Sequence, residues 1–256
     1  MRVALAGKGG AGKTTISATL ARLEAQRGAT VVAIDADSNP NLGVALGLDP
    51  VTAGQVTSMP FSLVSRRHNG PALTASVAEV IDRHGLACPD GVRLLLMGGP
   101  GHAEEGCLCS AHATVAALLV DLGAAPDDVA VIDLEASPEH LSRGTVKHAD
   151  TLLLVTEPYY RSLEATRRQA ALAATLPITR VVVVVNKVRS PDDAAAVGEF
   201  CARHGLEVIG EVPWGDEVLA ADRAAIPLID VAPDGPVVAA VAALARQLRC
   251  EVPAER

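Results

Sequence analysis

Aromatic side chains are nearly absent from this chain of 256 residues: two Phe, two Tyr and one Trp. Its core cannot rest on packed rings, so Ala, Val and Leu must fill it, as suits a valine-rich parallel sheet under alanine-rich helices. Also missing is any block of Lys/Arg. With 22 basic against 30 acidic residues the net charge is −8, which argues against a nonspecific nucleic-acid surface and against a polybasic membrane patch. No apolar stretch is long enough to span a bilayer, and Met1-Arg2 leads straight into an apolar run where a signal peptide would lie. The expectation is a cytoplasmic protein with neither nucleic acid nor membrane as partner. In a reducing compartment Cys88, Cys107, Cys109, Cys201 and Cys250 are poor disulfide candidates. Their odd number agrees, and a clustered pair among them reads first as metal-binding or redox-active.

Against these absences stands a glycine-rich start. Arg2 to Ala6 has strand character, a helical pattern begins near Lys13, and four glycines fall within Gly7-Lys8-Gly9-Gly10-Ala11-Gly12. Strand, loop and helix together match the phosphate-binding pattern G-x-x-x-x-G-K-[ST]. Glycines let successive N–H groups turn inward into a nest that side chains would block. The helix beginning at Lys13 adds its unpaired N–H groups and the positive end of its dipole. Gly9, Gly10, Ala11, Gly12, Lys13, Thr14 and Thr15 are therefore the expected nucleotide-binding residues. Lys13 would sit on the β- and γ-phosphates, and the Thr14 hydroxyl would face Mg²⁺.

Strand character recurs at 2–6, 30–34, 92–96, 129–132, 151–155, 180–185 and 206–209. Helical patterns lie at 14–27, 73–84, 111–123, 161–175, 192–204, 215–225 and 236–249. Such alternation predicts an α/β fold, a mostly parallel sheet with helices on both faces, and with the phosphate-binding motif at its start the expectation is a three-layer P-loop NTPase fold. Without a repeat or a break in composition, residues 1–256 read as one domain; 50–72 read as irregular. The mostly Ala, Val and Leu helix 237–248 reads as core-packing, not as a basic membrane helix.

Lys8 narrows the class. Lys8-Gly-Gly-x-Gly-Lys13-Thr resembles the deviant Walker A motif of the ATPase group containing MinD, ParA, the nitrogenase iron protein and ArsA. That resemblance implies an ATP sandwich homodimer in which Lys8 reaches the partner's nucleotide. After strand 30–34 comes Asp35-Ala-Asp37, at the kind of strand end where open α/β sheets hold ligands. Two carboxylates at i and i+2 of a strand point the same way. The segment is similar to that group's switch I. By position Asp37 would orient the hydrolytic water, with helix or turn capping as its bland alternative, and Asp35 would belong to the Mg²⁺ surroundings. Val129-Ala-Val-Ile-Asp133 is an apolar strand ending in the acid of a Walker B site, which supports Mg²⁺ through its water. Asn186-Lys187 marks the base pocket; the fourth residue is Arg189 where a guanine reader needs Asp, so ATP is favoured. Pro213 and Trp214 stand where relatives close over the base. Trp214 either stacks on the base or is an ordinary core or surface residue.

Cys107-Leu-Cys109 follows the glycine-rich stretch after strand 92–96. A Cys-x-Cys pair is strained as an intrachain disulfide but suits a soft or borderline metal. One chain supplies two sulfurs; four-coordination would require another pair, which a two-fold ATPase dimer would bring from the partner. The loop Met97-Gly-(x)₉-Cys107-x-Cys109 resembles the metal loop of the carbon monoxide dehydrogenase maturation ATPases, the CooC family, which handle nickel. Asp133-Leu-Glu-Ala-Ser-Pro-Glu139-His140-Leu-Ser-Arg143-Gly144-Thr145 is similar to that family's switch II, except for Ser137 where glycine is usual. Thr156-Glu157-Pro158 and Asn186-Lys187-Val188-Arg189 also fit. The resemblance implies Cys107 and Cys109 as ligands of Ni²⁺ or Zn²⁺ across a homodimer. His102 and His112 are either further ligands or surface and capping residues, and His140 reads as structural.

The expected function is an Mg²⁺-dependent ATPase, with Lys8, Lys13 and Asp37 catalytic. It would couple dimer closure to binding and delivery of a metal for a client such as a carbon monoxide dehydrogenase-like enzyme. The alternative is a MinD/ParA-like positioning or partner-regulating ATPase with no metal cargo. An iron–sulfur reductase would need a cluster cysteine in switch II, and 133–149 contains none.

Overall fold

In a computed structural model that describes residues 1–67, 70–97, 109–122, 125 and 127–250, each of the seven expected apolar runs forms a parallel strand. These are β1 (Arg2–Gly7), β2 (Thr30–Ala36), β6 (Arg93–Leu96), β7 (Asp128–Leu134), β8 (Thr151–Thr156), β9 (Arg180–Val188) and β10 (Glu207–Pro213). The two-residue β5 (Leu86–Ala87) pairs antiparallel with β6 at one edge. The sheet order is β10-β9-β8-β1-β7-β2-β6-β5, which puts β1 at the point where successive crossovers leave in opposite directions. Ligands of open α/β sheets sit outside the carboxyl ends of the strands at that point.

The main helices fall within a few residues of the expected ones: α1 (Lys13–Gln26), α4 (Val77–His84), α5 (Cys109–Asp121), α7 (Tyr160–Ala173), α8 (Pro191–Arg203), α9 (Asp216–Ala224) and α11 (Pro236–Cys250). Four short ones were not legible: α2 (Leu42–Leu46), α3 (Pro50–Gly54), α6 (Glu139–Ser142) and α10 (Leu228–Val231). A single turn of helix is too brief for a 3.6-residue period to show. The stretch expected to be irregular, 50–72, holds α3 and all but the last residue of an antiparallel hairpin, β3 (Val64–Arg67) with β4 (Gly70–Leu73).

Strand residues alternate between two apolar cores, one on each face of the sheet. Val3, Leu5, Val31, Ala33, Val182 and Val184 pack with α1 and α11 on one face. Ala4, Ala6, Val32, Ile34, Val183 and Val185 pack with α5, α7 and α8 on the other. This is period-2 alternation with both faces covered, hence a continuous apolar run and not an apolar–polar one. Helix α11 buries Val237, Val238, Val241, Leu244, Ala245 and Leu248 in the first core, as its composition implied. Among the described residues no helix is long and apolar enough to cross a membrane.

Candidate functional site

Every residue singled out for nucleotide chemistry lies at the carboxyl edge of the sheet. β1 ends at Gly7 (φ +154°), where a Cβ would stand 2.3 Å from the Val155 carbonyl oxygen of β8; only glycine permits this approach. Gly12 (φ +96°) precedes α1, and among the described residues no side chain caps that helix. Its first-turn N–H groups are thereby left to an anion. A Cβ on Gly12 would stand 2.2 Å from Asn186 Nδ2. Lys13 is buried, and its Nζ donates to the Gly7 carbonyl oxygen at 3.2 Å. Burial lowers its pKa against the opposing pull of Asp133, Asp37 and Glu135. A weakly satisfied ammonium beside uncapped N–H groups is a site for a polyanion.

Asp35 and Asp133 are lateral neighbours in β2 and β7. Asp133 Oδ2 accepts from the Thr14 hydroxyl at 2.6 Å and Oδ1 from Ser17 at 3.1 Å. Burial raises its pKa to about 7, helped by the charge of Asp35. Burial likewise raises Asp35 to about 6. The Asp35 oxygens accept the N–H groups of Asp37 at 3.1 Å and Leu42 at 2.8 Å, so this acid holds the turn after β2. Asp37 lies beyond the end of β2. The strand geometry expected to aim both carboxylates one way therefore does not extend to it. Asp37 lines the cavity, and its Oδ1 accepts from Asn39 N–H at 2.8 Å, so the capping role and the cavity position coexist.

That cavity, about 440 Å³, is lined by Gly9, Gly10, Gly12, Lys13, Thr14, Thr15, Asp37, Asn186, Lys187, Pro213 and Trp214, with Ala136 of the segment after β7. The buried Asn186 is more than a wall. Its Nδ2 donates to the Ala11 carbonyl oxygen at 2.7 Å, and its Oδ1 accepts from Lys187 N–H at 2.9 Å. Its amide is thus committed first to the glycine loop. Lys187 (φ +61°) sends Nζ to the Gly10 carbonyl oxygen at 2.6 Å and to Glu157 Oε1 at 2.8 Å. Tyr159 donates to Glu157 Oε2 at 2.6 Å, and the Lys8 ammonium lies 5.6 Å from the Tyr159 ring centroid. Trp214 donates to Asp216 at 2.9 Å, and the Arg189 guanidinium covers its ring at 3.8 Å. The roles of Ser17, Glu157 and Tyr159 were not foreseen. The strand-end position of Glu157 was the available signal.

Cys107 and His102 lie outside the described residues. Cys109 opens α5, exposed and disulfide-bonded. This departs from the expectation of poor disulfide candidates. Sulfurs so bonded are not thiolate ligands, and a metal role belongs to the reduced form. Arg143 Nη1 reaches Cys109 Sγ at 3.1 Å, and Arg143 Nε is held by Glu139 at 2.7 Å. Ser137 N–H donates to the Glu135 carbonyl oxygen at 2.8 Å, and Ser137 Oγ accepts from Glu139 N–H at 3.2 Å. The serine thus shapes the start of α6. No group of three or more His, Cys, Asp and Glu side chains suited to a metal ion occurs among the described residues.

Residues 3–229 match the CobQ/CobB/MinD/ParA nucleotide binding domain. The carbon monoxide dehydrogenase accessory protein CooC of Rhodospirillum rubrum is 34% identical over 244 residues, 91% of either chain. An uncharacterized ATP-binding protein of Methanocaldococcus jannaschii is also 34% identical, over 87% of this chain and 88% of that one. Among solved structures, a septum site-determining protein MinD from Pyrococcus horikoshii complexed with Mg-ADP superposes with a TM-score of 0.73. It is 19% identical over 97% of this chain and 96% of that one. A loop that cradles anions at the sheet's crossover point, acids at the neighbouring strand ends and these likenesses converge: the chain is a P-loop ATPase belonging to the CobQ/CobB/MinD/ParA nucleotide-binding family.

Proposed function

We propose that this chain is an Mg²⁺-dependent ATPase that pairs with a second copy of itself and uses the nucleotide cycle to bind and release a transition metal. The metal is nickel, with zinc as the alternative, and the client is a metalloenzyme of the carbon monoxide dehydrogenase kind. The observation that carries the reading is the contact between the two halves of the machinery. Cys109 opens α5 and touches Arg143, ten residues beyond Asp133 in the segment that also lines the nucleotide cavity through Ala136. The 34% identity to a carbon monoxide dehydrogenase accessory protein along 91% of the chain supports the choice of client.

In this reading the glycine-loop N–H groups and the first turn of α1 hold the β- and γ-phosphates of ATP. Lys13 exchanges its weak carbonyl contacts for them. The donor set fits Mg²⁺: the Thr14 hydroxyl lies against a buried Asp133 whose raised pKa a neighbouring cation would lower. Mg²⁺ would neutralise charge developing on the phosphates. Asp37 orients the water that attacks the γ-phosphorus; the bond to the β-bridging oxygen breaks, giving ADP and phosphate. Lys8 leaves the Tyr159 ring to reach the partner copy's nucleotide, and Pro213 and Trp214 border the base. Closure brings two reduced Cys107/Cys109 pairs together as four thiolate ligands.

The test is metal titration of reduced wild type and of Cys107→Ser/Cys109→Ser, with and without ATP. One metal per two chains, lost in the double variant while ATP binding survives, is the expected result. Retained stoichiometric binding by that variant defeats the ligand assignment. A second reading, a positioning ATPase without metal cargo, draws on the MinD-like fold. Stimulation of ATP hydrolysis by lipid vesicles or DNA would favour it.

A further inference from the structure

Between switch II and the cysteine helix lies a buried polar cluster that nucleotide chemistry does not use. His112, one turn into α5, and His140, in α6, are 4% and 1% exposed. Their ring centroids are 4.7 Å apart with planes at 65°. His112 Nδ1 is 2.8 Å from the hydroxyl of the fully buried Thr145. The His140 ring lies beside the backbone of Ala36, the last residue of β2 and the neighbour of Asp37, and that backbone favours its charged form against burial. One pair of rings therefore touches the end of switch I, both ends of the switch II turn and the helix that Cys109 opens.

Two nitrogens in this cluster, His112 Nε2 and His140 Nδ1, are buried without a hydrogen-bond partner among the described residues. Native cores seldom leave such groups unpaired, because each loses its water and gains nothing in exchange. A second arrangement that gave those nitrogens partners would recover that cost, which is what a two-state element needs of its other state. Dry, interlocked rings also transmit displacement, since a packed core does not deform continuously. Outward from the rings, Glu139 holds Arg143 against Cys109, so a shift of α6 is delivered at the sulfur.

We propose that His112, His140 and Thr145 are positioning residues that couple the nucleotide-bound state of the switches to metal binding at the start of α5. The inference rests on the proposed metal function and adds the route by which the two sites communicate. Coupling is reciprocal, so metal must alter nucleotide affinity by the factor with which nucleotide alters metal affinity.

The experiment uses the full reduced chain and measures Zn²⁺ affinity with and without Mg²⁺ and a non-hydrolysable ATP analogue. The analogue's affinity is measured with and without Zn²⁺. Wild type is expected to show a shift of about tenfold or more in both directions. Thr145→Val removes the hydroxyl at constant shape, and His140→Phe keeps a ring while removing both nitrogens. Either should bring the factor below about threefold while each ligand alone still binds within about threefold of wild type. Thr145→Ser restores the hydroxyl and should restore the factor; a purely structural role would move affinities or melting temperature and leave the ratio intact. A wild-type factor near one, or a wild-type factor surviving in Thr145→Val, overturns the coupling while leaving the metal function standing. Zn²⁺ binding that is absent from wild type, or that persists in Cys107→Ser/Cys109→Ser, overturns the metal function and the coupling with it.

Discussion

Asp133 should be a liability to the nucleotide-free protein, and Asp133→Asn should stabilise it while disabling it. Burial moves the pKa of this carboxyl from 3.8 to about 7. About three pK units at 1.36 kcal/mol each set a ceiling of about 4 kcal/mol on the cost of ionising it in the fold. A raised folded-state pKa gives a contribution fully present below the unfolded value. That contribution is lost as pH rises through about 7, the stretch in which the unfolded chain releases the proton and the fold retains it. The asparagine amide can replace only part of the pairing with Thr14 and Ser17, a loss of about 1 kcal/mol. The net gain is therefore about 3 kcal/mol at pH 8, or about 6–12 °C in melting temperature for a chain of this size. Thermal melts in EDTA should show the variant above wild type at pH 8, the gap closing as pH falls toward 4. Adding MgATP should raise the wild-type melting temperature and scarcely move the variant. A gap independent of pH, or a variant less stable than wild type at pH 8, would refute the claim that burial raises the pKa of this acid.

Lys8→Ala should keep nucleotide affinity within about threefold yet lower ATP turnover on the order of 10³-fold, as expected for a charge acting in trans. Light scattering should then show no ATP-dependent dimer, and an unchanged turnover would remove Lys8 from the chemistry. Gly12→Ala places a Cβ on Asn186 at a positive φ, costing about 1–2 kcal/mol for the backbone and about 1 kcal/mol for the displaced amide contact with Ala11. Its melting temperature should fall by about 4–12 °C, with ATP binding weakened. A melting curve matching wild type would mean that Asn186 does not brace the loop.

The parallel strands were legible because each is buried on both faces and so reads as an unbroken apolar run, Val181 to Val185 being the plainest. The glycine loop was legible because its conformation forbids most side chains. What escaped reading was whatever depends on long-range partners. Asn186 stood where a base contact was expected, but the hydrogen bond its side-chain amide donates to Ala11 joins residues 175 apart. Asp35 read as a metal-side acid, yet the folding back of Leu42 gives its second oxygen to the chain. Ser17 carries no motif; it reaches Asp133 only because α1 packs over β7. His140 read as structural from its neighbours in sequence, and only the approach of α5 brings His112 against it.

The poverty in rings has a practical side. One indole serves the whole chain, and it borders the cavity beneath the Arg189 guanidinium. Its emission is a single-site signal with no background from other indoles, so stopped-flow fluorescence follows events at that mouth in the native sequence, with no label attached.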